Sequence, residues 1–438
     1  MSHDYLTGST AQQIADSIRS AQLPGGTKLP PIRVAAEQLD VSPATVSAAW
    51  GLLSRAGLID TDGRRGTRVR GNGSIQRRYS RALDRRSAVR LDLSTGLPDA
   101  ALLPDLRPSL QRVGHLRSTG SYLDEPVLAA LGQALRADWP YEPETFAVLD
   151  GAMDALDQVA TTHLRYGDRV AVEEPAFPPL LDLLDALGVR PLGLAMDDQG
   201  VVPAGLAAAL KQGVRAVFLQ PRAQNPTGVS LSSGRARELR TVLRRYADVL
   251  IIEDDSAGLV AATEPVTLAQ WLPARTVHIR SYSKSHGPDL RLAAASGPHA
   301  LLDPVVNRRA LGQGWSSRLL QSVLADLLTD AKARKQVDKA RAEYARRRAA
   351  VVKVLQDQGI AVTGGDGLNL WLPVQDETAA LLHLAGHGIT AAAGTPFWID
   401  ATPVPHLRLT IGLLGTELTE TAAIVAAAAD AAPRTGPR

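Results

Sequence analysis

Four short runs, RVAVEEPAF, AVFLQPRAQNPTG, VLIIEDDS and TVHIRSYSK, do more than any other feature to restrict how this 438-residue chain folds. Each reads as a β-strand that closes on polar or ring-bearing residues, and from about Leu91 onward such runs alternate with helical stretches. That alternation predicts an α/β domain with a mainly parallel sheet. Ligands of open α/β sheets bind beyond the carboxyl ends of the strands, so four such endings predict one shared site.

The endings carry complementary chemistry. Lys284 offers an amine able to form a Schiff base, and Asp254 or Asp255 offers a carboxylate at the end of a buried strand, where it needs a cationic partner. Asn225 adds a neutral donor. Ser281 and Arg291 bracket the lysine and suit a phosphate, and GAMDAL puts Gly151 at a helix N-terminus, where backbone N–H groups favour an anion. With the aromatic Phe177, these are the parts of a pyridoxal 5′-phosphate pocket. Taken singly, each has a plainer reading as a surface lysine, a solvated strand end, an NPTG turn or a core phenylalanine. Their order is specific: NPTG, then EDD after a strand, then SYSK about thirty residues beyond, then an arginine seven residues after the lysine.

Charge separates the front of the chain from the rest. Residues 1–90 hold 14 Lys/Arg against 7 Asp/Glu, a surplus of 7, while the whole chain carries only +3, leaving −4 for the remainder. A basic front end predicts a polyanion partner for that end alone, although a solubilising face would give the same surplus. No cysteine is present, which excludes disulfides and thiolate chemistry. Neither a cleavable leader nor an apolar run of spanning length is seen, so a cytoplasmic protein without membrane contact is expected.

Within the front end, apolar residues recur at helical spacing in AQQIADSIRSAQL, PIRVAAEQLD and VSPATVSAAWGLLSRAGLI. Ser42 is a good N-cap and Pro43 suits the first turn of the third helix. LIDTDGRRGTRVRG then predicts two short strands around a basic turn. Three small helices and a basic hairpin make a winged helix-turn-helix, with the start of the third helix facing the major groove. A small helical domain without a ligand is the alternative. The stretch from LPGGTKLPP to GRRGTRV resembles the GntR-type DNA-binding domain, which implies contacts to double-stranded DNA from Arg33, Ser42, Thr45, Ser47, Arg64, Arg65 and Gly66. Pro43 stands where that family commonly has arginine, so base preference should differ. Residues 74–90, polar and arginine-rich, are expected to form a linker behind a head of residues 1–73.

Residues 91–438 resemble fold-type I aminotransferases, from LDLSTGLPDAALLP near the start to HLRLTIGL near the end. The resemblance implies a smaller C-terminal α/β subdomain over roughly residues 310–438. It also implies that Lys284 is the Schiff-base lysine, Asp254 the partner of the ring nitrogen and Asn225 the contact to the ring hydroxyl. Ala152, Met153, Ser281 and Arg291 would hold the phosphate, Phe177 would stack on the ring, and Arg408 would take the carboxylate of an amino-acid effector. Tyr122 would reach the phosphate of a neighbouring subunit.

A GntR-type head on such a body resembles the MocR subfamily of transcriptional regulators, implying a domain-swapped homodimer that senses pyridoxal phosphate or an amine. Two departures bear on catalysis. Ser256 stands where the family usually has tyrosine, and Met153 and Asp154 replace the usual glutamines. A working aminotransferase with an autoregulatory head, and a body that serves only as a dimerisation scaffold, are the competing readings. The basic stretch Lys332 to Lys353 is expected to be a helix with a solvated face.

Overall fold

The computed structural model describes residues 6–20, 23, 27–55, 59–62, 66–69, 78, 90–115, 121–399, 403–415 and 417–432. Arg64, Arg65 and nearly all of the 74–90 stretch lie outside the described residues. The chain falls into two compact units, a small one built on residues 1–77 and a large one holding 78–164, 169–181 and 191–438.

In the small unit, helices α1 (Ala11–Ser20), α2 (Ile32–Leu39) and α3 (Pro43–Arg55) precede the antiparallel strands β1 (Ile59–Asp62) and β2 (Gly66–Val69). Ile14 and Ile18 pack with Ala35, Ala36, Val46, Ala49, Trp50 and Leu53, the residues whose spacing predicted the helices. The Ser42 hydroxyl accepts the Thr45 N–H at 3.1 Å, capping α3. Between α2 and α3 the chain turns at Asp40, held at φ 52°, whose N–H closes onto the Ala36 and Glu37 carbonyls. Residues 27–29 also line β2, with Leu29 N–H donating to Thr67 O and Val69 N–H to Thr27 O. Periodicity gave no sign of this third edge, because its bonds come from so short a segment.

The large unit opens on β3 (Leu91–Asp92) and then builds an eight-stranded sheet. Its strands are β4 (Thr145–Leu149), β5 (Arg169–Glu174), β6 (Arg190–Asp197), β7 (Gly200–Val201), β8 (Ala216–Leu219), β9 (Leu250–Asp255), β10 (Thr276–Ser281) and β11 (Ala293–Gly297). Their order is β4-β11-β10-β9-β8-β5-β6-β7. The pairs β5/β8, β8/β9 and β9/β10 are parallel, while β11 runs against both β10 and β4. The parallel strands β5, β8, β9 and β10 therefore all end at one edge, as the sequence runs demanded. β4, antiparallel to β11, ends there too.

A smaller sheet joins β12 (Leu370–Pro373), β14 (Ala392–Ala393) and β15 (His406–Leu409), while β13 (Ile389–Thr390) pairs with β3. Leu93 belongs to this subdomain's core with Val351, Leu370, Leu409 and Val425. The helix Arg318–Thr329 instead packs Val323, Leu324 and Leu327 against Leu131, Leu135 and Tyr282.

The helix Ala331–Asp357 contains the basic stretch, but its face is not simply solvated. Arg347 pairs with Asp99 and Glu343, and Arg348 donates to the Gly364 carbonyl, both arginines being buried. Charge composition could not reveal this, because Asp99 and the Gly364 carbonyl come from outside the helix. Among the described residues no helix is long and apolar enough to cross a membrane.

Ile252 lies fully buried in β9, between β8 and β10. Ile252→Ala should cost about 2–4 kcal/mol, read as an earlier midpoint in chemical unfolding of the large unit.

Candidate functional site

Strand β9 ends in three consecutive carboxylates, Glu253, Asp254 and Asp255, all buried. Neighbouring side chains on a strand point to opposite faces, and the register sets Glu253 beside His278 and Asp255 beside Arg280. Asp255 takes both forks of Arg222, Nε at 3.1 Å and Nη2 at 2.6 Å, and lies 3.4 Å from Arg280 Nε. Burial pushes its pKa up, but Arg222 and then Arg280 more than reverse this and hold it well below the usual range. Glu253 accepts from Leu268 N–H at 2.7 Å and from the Thr267 hydroxyl, and pairs with His278 at 2.8 Å.

Asp254 faces the other way. Its Oδ2 accepts from Gln220 Nε2 at 2.6 Å, while its buried Oδ1 has no hydrogen-bond partner among the described residues. Burial raises its pKa to about 6. The two carboxylates that the strand pattern alone left equivalent thus differ: Asp255 already has its cations, and Asp254 has room for one.

Gln220 was not singled out from sequence. It also accepts the Asn225 N–H at 2.8 Å and reaches Ser256 Oγ at 3.3 Å, so one side chain fixes three candidate residues. The register Leu219↔Glu253 is the signal that would have found it, since it carries residue 220 alongside 254. Asn225 Oδ1 is likewise buried without a partner among the described residues. Phe177 lines a small cavity with Gln220, Gln224 and Asp254.

Lys284 lies beyond β10 and donates to the Gly96 carbonyl. Burial, reinforced by the nearby charge of Arg408, lowers its pKa to about 8. Arg408 is 1 % exposed; it donates to the Ser94 carbonyl and lies 3.5 Å from Asn369 Oδ1. A Cβ on Gly96, held at φ 71°, would come within 2.8 Å of the Arg408 guanidinium, so only glycine fits between the two cations.

At the end of β4, Gly151 (φ 101°) starts the helix Ala152–His163. A Cβ there would sit 3.3 Å from Arg291 Nη2, which donates to Asp150 O at 3.1 Å. Ser281 Oγ accepts the Ser283 N–H at 3.3 Å. Asp154, whose charge would oppose an anion here, is turned onto Arg309, which also pairs with Asp150 at 3.0 Å. The ends of β4, β5, β8, β9 and β10 thus gather Ala152, Met153, Phe177, Asn225, Asp254, Ser256, Ser281 and Lys284 on one edge, and Arg291 and Arg408 reach it from neighbouring segments. Tyr122 is 90 % exposed, its ring 5.9 Å from that of Trp315, and stands apart from them.

The donor set fits pyridoxal phosphate: an amine with a lowered pKa, a buried carboxylate oxygen without a partner, and a glycine-floored helix N-terminus beside an arginine. In the small unit, Arg33, Ser42, Ser47 and Gly66 are exposed and Thr45 is half-buried.

Fold and site together define an aminotransferase-type body joined to a winged-helix head. Residues 89–424 match the family "Aminotransferase class I and II", and residues 6–69 match "Bacterial regulatory proteins, gntR family". The chain belongs to the class I and II aminotransferase family in its regulator branch, with a GntR head ahead of the aminotransferase-like domain. It is 37% identical to the vitamin B6 salvage pathway transcriptional repressor PtsJ of Salmonella typhimurium, over 93% of this chain and 96% of that one. To the HTH-type transcriptional regulator TauR of Rhodobacter capsulatus it is 27% identical over 89% of each. Among solved structures, an archaeal alanine:glyoxylate aminotransferase superposes with TM-score 0.73 at 20% identity, covering 86% of this chain and 97% of that one. The Pyrococcus horikoshii kynurenine aminotransferase superposes with TM-score 0.70 at 20% identity, covering 78% and 91%.

Two outcomes follow. Because Asp254 binds its proton more tightly folded than unfolded, it costs stability progressively as pH rises from about 4 to about 6. In ligand-free protein, Asp254→Asn should therefore be the more stable form by roughly 1–3 kcal/mol at pH 7, with the gap closing below about pH 4 in denaturant titrations. Reductive methylation should modify Lys284 half-maximally near pH 8, because the reactive free amine exists above its pKa of about 8, as peptide mass spectrometry would record.

Proposed function

We propose that the protein is a cytoplasmic transcriptional regulator that holds pyridoxal 5′-phosphate at Lys284 and reads promoter DNA with its head. The observation that carries this is the unpartnered Asp254 oxygen in the same polar cluster as an amine of lowered pKa, in a chain that begins with a GntR-type head. When bound, the cofactor supplies an aldehyde that condenses with an amine and a ring that draws electrons from it. Lys284 supplies that amine, Asp254 accepts from the ring nitrogen, and Asn225 meets the ring hydroxyl. Ala152 and Met153 at the helix N-terminus, with Ser281 and Arg291, hold the phosphate, and Phe177 covers one ring face.

Arg408 binds the carboxylate of an amino-acid effector, a fork-to-fork pairing that lysine does not reproduce. An effector amine that displaces Lys284 shifts the regulator only through its differential affinity for the two states. Sensing rather than turnover is supported by Ser256. Its short hydroxyl is engaged by Gln220, where a tyrosine would bring a phenol hydroxyl to the cofactor's ring oxygen.

Arg33, the start of α3 at Ser42, Thr45 and Ser47, and the wing with Arg64, Arg65 and Gly66 contact DNA bases and phosphates. The regulator acts as a homodimer. Tyr122, Leu123 and Leu311, each at least 90 % exposed, and Leu319 at 60 % support a self-complementary face from which Tyr122 reaches the partner's phosphate site.

Gel shifts on DNA upstream of the gene, with and without pyridoxal phosphate, test the reading together with the cofactor's visible absorbance. Wild type should develop the absorbance of lysine-bound cofactor and change its DNA affinity several-fold, whereas Lys284→Ala should do neither. Arg33→Ala should lower DNA affinity by about 1–3 kcal/mol while leaving cofactor absorbance intact. Identical DNA binding by wild type and Lys284→Ala at every cofactor concentration would sink the sensor reading. Rapid conversion to the pyridoxamine form with amino acids would instead mark a working aminotransferase.

A further inference from the structure

A cavity of about 310 Å³ lies in the large unit, lined by Arg280, Tyr282 and His286, by the helix Ala129–Ala137, and by the helices Arg318–Thr329 and Ala331–Asp357. It is separate from the Lys284 cluster, and its size is at the lower end of small-ligand pockets. Leu135, Leu259, Leu327 and Val337 give it apolar walls. Its charged groups are Arg280, Arg334 and Arg341 against Asp138 and Asp338.

Their pairing leaves a surplus of one cation. Arg280, 2 % exposed, binds Asp138 at 3.1 Å and stacks on Trp139 at 4.5 Å. Arg341 pairs with Asp338 at 3.2 Å and donates to the Leu259 carbonyl at 2.9 Å. Arg334 has no ion pair among the described residues. His286 uses Nδ1 on the Ser285 hydroxyl at 2.9 Å, and burial lowers its pKa to about 4, so it lines the cavity as a neutral ring. Apolar walls with one unpaired guanidinium suit a monoanion with a flat or branched apolar body.

Two links, one along the chain and one through an ion pair, join this cavity to the cluster around Lys284. Tyr282 and His286 close one turn, His286 N–H to Tyr282 O at 2.8 Å, and Lys284 sits in the middle of that turn. Arg280 lines the cavity and also reaches Asp255, the neighbour of Asp254 on β9. We infer that this cavity is a second ligand site, for a small carboxylate with an apolar body, and that its occupancy is coupled to cofactor binding at Lys284. The coupling rests on the cofactor reading above; the binding does not.

Full-length protein saturated with pyridoxal phosphate, titrated calorimetrically with benzoate and with its neutral isostere benzamide, tests it. Benzoate should bind at least about tenfold more tightly than benzamide. Arg334→Gln, at an exposed position, and Ala134→Phe, which fills the cavity, should each weaken benzoate by a similar factor while melting within a few degrees of wild type. Equal binding of benzoate and benzamide, or benzoate binding unchanged by both substitutions, would overturn the site; the latter would place benzoate against Arg408 instead. Saturating benzoate should also change pyridoxal phosphate affinity at least about threefold, with the reciprocal effect on benzoate. Benzoate binding without that change would overturn the coupling. Should the protein not bind pyridoxal phosphate at all, the same benzoate series on the untreated protein still decides the cavity.

Discussion

Three adjacent carboxylates in the middle of a parallel sheet are the constraint around which the large unit is organised. Burying an ionised carboxylate is costly unless it is paired, and β9 buries three in a row. Strand pleating splits them. Asp255 draws in Arg222 and Arg280, and Glu253 draws in His278, Thr267 and the N–H of Leu268. Arg222 comes from the loop after β8 and Arg280 from β10, so the carboxylates tie three neighbouring strand ends together. Asp254 receives only a neutral amide, and its raised pKa records what is missing. The stable pairs on one face hold the unsatisfied group rigidly on the other, which is how a binding site is pre-organised on a sheet.

Much of this could be read from the chain. Strand ends, the capped third helix of the head and the order of NPTG, EDD and SYSK follow from local patterns of a few residues. What stayed hidden has a common cause. Gln220, Gly96 and Arg309 matter through partners far away in sequence: Gln220 through Asp254, Gly96 through Arg408, and Arg309 through Asp154. A glutamine before a proline or a glycine in STGLP has no local signature. The buried Arg347 and Arg348 show the same limit, since composition records a charge but not the carbonyls it meets. The strand pattern alone did not distinguish Asp254 from Asp255; the resemblance named Asp254, and the physical difference between them lies in the register with β10.

The departures from the enzyme pattern are local and compensated. Asp154, unfavourable near an anion, is neutralised by Arg309, itself braced by Asp150 and Ser316. Ser256 shares Gln220 with Asp254, so one side-chain amide serves both residues.

Lys284 and Arg408 do not wait in open space: each donates to a backbone carbonyl, of Gly96 and Ser94 respectively. Both carbonyls belong to the stretch that follows β3. The two cations therefore add to the bonds that hold this stretch, among them Leu93 N–H to Thr390 O and Gly96 N–H to Thr410 Oγ1. Any molecule that claimed both of them would release two carbonyls of this stretch while leaving its pairing with β13 in place.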